Sequence, residues 1–84
     1  AVRQSYQTLL ITYYNDGRLF FMDKPITLEE LKTILGQQYQ NPEQVVRIAI
    51  EKQVPVQKLI NLMDIVRSVG YERIFVATTV VENK

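Results

Sequence analysis

Four stretches of the chain carry the residue pattern of strands and two carry the spacing of helices. From Gln7 to Tyr14 the residues are Leu, Ile, Thr and Tyr in the main, which favour extended backbone. Asn15-Asp16-Gly17 follows, with Gly17 able to take the positive φ of a three-residue turn, and Arg18–Asp23 returns as a second strand. Thr27 and Glu30 stand at the spacing of a capping box, and Ile26 and Leu31 at that of a hydrophobic staple. The helix they open places Leu28, Leu31 and Leu35 on one face, with Ile34 beside them and Tyr39 continuing the line. Gly36 weakens its last turn by about 1 kcal/mol relative to Ala, and Asn41-Pro42 ends it. Gln44–Ile50 alternates strictly, with Val46, Ile48 and Ile50 on one side.

Pro55 opens a second helix over Val56–Val69. At 100° per residue, Val56, Leu59, Ile60, Leu62, Met63, Val66 and Val69 fill about half its circumference. Gln57, Asn61, Asp64 and Ser68 form the opposite, polar stripe, and Gly70 caps the end. Ile74–Val81, β-branched and aromatic, is the last strand. The order β-β-α-β-α-β, with two right-handed crossovers running the same way, puts both helices on one face of a mixed sheet. The expected fold is thus a two-layer α/β sandwich of the α+β kind over residues 7–81, flanked by a linker stub at 1–6 and a tail at 82–84.

Length and composition narrow the function. The chain has 84 residues, enough for one small domain and a thin core. Ten Lys and Arg stand against nine Asp and Glu, spread along the chain without a stripe, so the strong field of a dedicated nucleic-acid binder is missing. There is no Cys and no His, which removes thiol chemistry, Ser-His and Cys-His nucleophiles and the usual zinc sites. The carboxylates are scattered; the one adjacent pair, Glu29-Glu30, suits a helix N-terminus. Asp16-Gly17 lacks calcium-loop spacing, and the three glycines are isolated, so no phosphate-cradling loop forms. Aromatics on strands, Tyr13-Tyr14 and Phe20-Phe21, leave room for a base-stacking sheet, but the glycine-aromatic signature of such sheets is absent. Neither an enzyme, a cofactor nor a nucleic-acid partner is expected.

What the pattern does show is too many apolar residues for a two-layer fold. Every strand carries apolar residues at both parities, so some large side chains lie on the face without helices. Such patches mark interfaces, or are covered by loops. The last strand runs nearly to the chain end and, at an edge, would offer unpaired backbone groups to a partner strand. No apolar run approaches the ~20 residues of a membrane span. The chain begins with Ala1 and shows no signal-peptide pattern, which suggests a fragment or a processed product.

The run from Arg47 to Thr78 resembles the periplasmic domain of the ExbD/TolR biopolymer-transport family. Its pieces are a strand ending in a charged loop (Ala49-Ile50-Glu51-Lys52-Gln53), a Val-Pro helix start (Val54-Pro55), the pair Met63-Asp64, Gly70, and the strand from Ile74. Upstream, Asp16-Gly17, Leu19-Phe20-Phe21-Met22-Asp23, Pro25-Ile26-Thr27-Leu28-Glu29-Glu30-Leu31 and Asn41-Pro42 follow in the family's order, so the resemblance spans roughly residues 8 to 79. Two positions depart from it: Ala49-Ile50-Glu51 replaces the family's Arg-Ala-Asp, and Val56 stands where an aromatic is usual.

The resemblance implies a bacterial inner-membrane protein whose transmembrane helix, with the family's proton-carrying aspartate, is absent from this chain. It implies partners: a second copy in a homodimer, an ExbB/TolQ-like channel protein, a TonB- or TolA-like transducer and, for TolR-like members, peptidoglycan. The candidate partner interface comprises Gln57, Asn61, Asp64 and Ser68 on the polar stripe of the second helix, with Phe75, Ala77, Thr79 and Val81 along the last strand. The alternative is a peptidoglycan- or small-ligand-binding domain with a groove between helix and sheet.

Overall fold

The computed structural model describes residues 7–79. Strand β1 (Leu9–Tyr13) turns through Asn15-Asp16-Gly17 into β2 (Leu19–Phe21), and a third strand, β3 (Lys24–Ile26), precedes helix α1 (Leu28–Gln38). Then come β4 (Val45–Glu51), helix α2 (Val56–Val69) and β5 (Arg73–Thr79). The sheet order is β3-β2-β1-β4-β5, with β1, β4 and β5 parallel and the two hairpins antiparallel. The expected two helices on a mixed sheet are there. The linker stub at 1–6, Val81 and the tail at 82–84 lie outside the described residues.

Strand β3 departs from the sequence reading, which ran the chain straight from Asp23 into the helix. Met22 and Asp23 both have positive φ, 51° and 72°, and form the tight two-residue turn that hairpins favour. Such turns normally carry Asn or Gly, so Met-Asp hides the signal, and Pro25 inside a strand hides it further. The Met22 side chain supplies part of the compensation. Its Sδ accepts the Leu10 N–H at 3.2 Å while its own N–H donates to the Leu10 carbonyl at 2.9 Å.

Alternation along the strands assigns the faces. Leu9, Ile11 and Tyr13 of β1 pair in register with Val46, Ile48 and Ile50 of β4, and all six are buried beneath the helices. Leu31 and Leu35 from α1 and Leu62 and Val66 from α2 close the core above them. The capping box at Thr27 and Glu30 forms in both directions, at 3.1 and 2.9 Å. Gly36 does not break α1, which continues two residues past it.

At the far end, Tyr71 is 1% exposed, and its hydroxyl donates to the Leu35 carbonyl at 2.7 Å in the last turn of α1. The Tyr39 ring meets it edge-on at 5.2 Å. Gly70, at φ 127°, caps α2 directly beneath that ring: a Cβ there would lie 3.1 Å from Tyr39. Gln44, the one buried polar side chain among the described residues, donates to the Gln7 carbonyl and accepts from the Gln40 N–H, tying the start of β1 to the loop before β4. These contacts fix how the two helices sit on the sheet, and so which surfaces remain free.

Two sequence expectations about packing fail. Leu28, read as part of the buried face of α1, is 46% exposed, and Val56 and Ile60, read as part of the apolar arc of α2, are 69% and 44% exposed. The arc is wider than the stripe that the sheet covers. With a right-handed crossover, Val56 and Ile60 fall on the flank of α2 that faces away from α1, toward the free edge at β5.

Candidate functional site

Of the candidate residues that the structure describes, those on α2 and those on β5 lie on opposite sides of the molecule. Gln57, Asn61, Asp64 and Ser68 are all exposed on the outer side of α2. Gln57 donates from Nε2 to Asn61 Oδ1 at 3.1 Å, and the Ser68 hydroxyl donates to the Ile65 carbonyl at 2.7 Å, so both pairs are satisfied within the helix. This stripe is a solvated helix face that contacts no other element.

Phe75 and Ala77 lie on the opposite side. Register makes this plain: Ile74 pairs with buried Val46 and Val76 with buried Ile48, so Arg73, Phe75 and Ala77 point to the face without helices. Thr79 is paired with Glu51 at the strand's end, and Val81 lies beyond the described residues. No single site therefore gathers all eight.

The open face is organised in rows across the sheet. One row runs Leu10, Arg47, Phe75, and the next runs Pro25, Phe20, Thr12, Ala49, Ala77. Phe75 is 55% exposed, a large aromatic in solvent. Beside Arg47 the small side chains Ala49 and Ala77 leave a shallow depression of about 370 Å³, lined also by Thr8, Leu10 and Ile48. Toward the hairpin end, Phe20 packs edge-on against Tyr14 at 5.6 Å, and the Arg18 guanidinium lies 4.5 Å above the Tyr14 ring. Arg18 is in turn held by Asp16 at 2.8 Å. The Arg18 backbone N–H, donated to the Asp16 carboxylate, keeps that carboxyl below its usual range, and the guanidinium adds to the effect. Glu51 accepts the Asn15 N–H at 2.6 Å and so braces the same loop.

The two edges of the sheet are unlike. In a two-residue hairpin the residues flanking the turn bond to each other, so Phe21 and Lys24 exchange their hydrogen bonds and Pro25 turns outward. Pro25 has no N–H, and the short β3 edge offers a partner strand no donor there. Strand β5 has seven residues without proline, and every second one turns its backbone groups away from β4. Val76, 40% exposed on the helix side, and Phe75 on the other side flank that edge. The sequence reading made an edge position for the last strand a condition and left the strand order open, and β5 does lie at an edge; the apolar flank on α2 was not foreseen, because periodicity gives a stripe's width but not how much of it the sheet covers.

A groove of about 540 Å³ also runs between β3 and α1, lined by Lys24, Pro25, Ile26, Glu29, Thr33 and Ile34, with Glu30 engaged in the capping box. Among the described residues, no three acidic side chains cluster as a metal site would require, and no helix is long and apolar enough to cross a membrane.

Among the described residues, the helices cover one face of the sheet and leave the other face and the β5 edge uncovered. Residues 2–80 match the biopolymer transport protein ExbD/TolR family, nearly the whole chain, and the protein belongs to that family. Its role is accordingly one in energy transduction for biopolymer transport. No curated protein sequence matches the chain closely enough to add to this.

Proposed function

We propose that this chain is the periplasmic module of an inner-membrane complex driven by the proton-motive force, of the ExbB-ExbD-TonB or TolQ-TolR-TolA type. In this reading it is not an enzyme. It pairs with a second copy of itself and engages a TonB- or TolA-like transducer, while an anchoring helix outside this chain meets the ExbB/TolQ-like channel. Residues 7–81 form the working domain. The observation that carries the reading is the open edge of β5, flanked by Phe75 and Val76, opposite an edge that Pro25 closes. Main-chain pairing at such an edge supplies affinity, and the flanking side chains supply selectivity.

The test is sedimentation equilibrium of the chain against concentration, with the Thr79→Pro variant beside it. The variant removes one backbone donor at the end of β5, where proline is tolerated without unfolding the sheet. Weaker self-association or weaker binding of the transducer, with an unchanged circular dichroism spectrum, is the expected result. Unchanged association on both counts refutes strand addition. The groove between β3 and α1 favours a second reading, a site for peptidoglycan fragments. Titration with a soluble glycan-peptide fragment separates the two, since amide shifts would then fall at Ile26, Thr33 and Ile34 and leave β5 unmoved.

A further inference from the structure

From the open face of the sheet we infer the chemistry of its partner: a segment in which acidic residues accompany large aliphatic ones, laid across β4 and β5. The inference rests on the proposed role as a protein-recognition module and names what that face selects. Its basis is charge complementarity over an apolar floor. Arg47 stands in the row between Leu10 and Phe75, and Arg73 shares the same face one row away, paired with Val45. Both are exposed, and among the described residues neither guanidinium has an ion-pair or hydrogen-bond partner. Elsewhere the protein does pair such groups: Arg18 is held by Asp16 and stacked on Tyr14. Glu51, two rows from Arg47 along β4, is engaged by the Asn15 N–H.

Beside Arg47, the depression over Ala49 and Ala77, walled by Thr8 and Leu10, takes a branched aliphatic side chain, with Phe75 exposed at the end of the Arg47 row. An extended segment alternates its side chains, so an aliphatic residue seated there is followed two positions on by one over the next row. A carboxylate reaching Arg47 or Arg73 from such a segment makes a bidentate, charge-assisted contact at the rim of an apolar patch. The same charges argue against a second copy on this face. Two copies set face to face would bring four guanidinium groups together without an acid to meet them, so the copy belongs at the β5 edge and the acidic partner on the face.

The experiment uses the chain with a short capped peptide of alternating valine and glutamate, and the same peptide with lysine for glutamate, followed by amide chemical shifts. The glutamate peptide is expected to move Leu10, Arg47, Ala49, Phe75 and Ala77 saturably, with affinity falling as salt rises from about 50 to about 300 mM. The lysine peptide, and the Arg47→Glu variant with the glutamate peptide, should each bind about fivefold or more weakly, the size of one exposed charge contact. Arg47→Lys keeps the charge without the fork and should fall between. Arg47 is a surface position, so an unchanged melting curve shows that Arg47→Glu is folded. Equal binding of the two peptides, no binding of either, or shifts confined to Val76 and Thr78 on the helix side overturns the inference. Its failure is distinct from that of the edge reading. Peptide binding that survives in Thr79→Pro while self-association is lost supports both surfaces, and peptide indifference to Arg47 with edge association intact removes the face alone.

Discussion

Replacing Tyr71 with Phe removes one oxygen from a buried contact between the segment after α2 and the last turn of α1, and tests the packing of the helical layer. The hydroxyl is buried and donates to the Leu35 carbonyl at 2.7 Å, in the last turn of α1, where carbonyls run short of intrahelical donors. Deleting it forfeits a net hydrogen bond and strands a buried carbonyl, at a cost of about 1–2 kcal/mol. For a domain of this size that lowers Tm by about 5–15 °C.

The same burial, with the neighbouring Tyr39 adding to it, pushes the Tyr71 phenol up to about 12. The unfolded chain ionises at the ordinary value of about 10, so it releases its proton first as pH rises. Tyr71 therefore contributes its full stabilisation below about pH 10 and loses it as pH climbs toward about 12, a loss of about 2–3 kcal/mol at one pKa unit per 1.4 kcal/mol. Urea unfolding of the two proteins at neutral pH and between pH 9 and about 12, followed by circular dichroism, reads both effects. A Phe variant within about 0.5 kcal/mol of the parent at neutral pH, or one with the same alkaline slope, would refute the account.

Three further substitutions follow from backbone geometry. Gly36→Ala lies in the last turn of α1 with nothing within 4 Å of the new methyl and should raise stability by about 0.5–1 kcal/mol in thermal unfolding. Gly70→Ala should lower it by about 1–3 kcal/mol in urea unfolding, because φ is 127° and the methyl would press on the Tyr39 ring at 3.1 Å. Asp23→Gly relieves a positive φ in the second hairpin and should gain about 0.5–1 kcal/mol; a loss would mean that the Asp23 side chain holds the turn by a contact of its own.

The elements that the sequence disclosed are those where local chemistry and long-range packing agree. Thr27 and Glu30 cap a helix in any context, and the alternation of Val46, Ile48 and Ile50 allows only one face to be buried. Strand β3 was illegible because its turn is built from Met22 and Asp23, residues that reach positive φ only when the surrounding sheet compels them. Leu28, Val56 and Ile60 misled for another reason: a helical wheel ranks positions by direction, and exposure depends on how far the sheet extends beneath them. For the candidate surface, Phe75 and Ala77 could be placed on a strand but not on a face until register against β4 was known. Arg47 could be set on the side opposite Val46, Ile48 and Ile50 but given no role, since a lone arginine in a strand shows its significance only from the two neighbours beside it.

The outward-facing proline of β3 limits what can be built from this protein. A sheet with two accepting edges is a monomer in the polymer chemist's sense: each copy joins two others, and the product is a filament. If association proceeds by the edge pairing proposed above, Pro25 on one side and β5 on the other give the described domain a valence of one. Two copies meeting at their β5 edges about a twofold axis exhaust that valence, as would one copy that has taken up a strand from elsewhere. Association therefore terminates by construction, and occupants of the edge must compete for it one at a time.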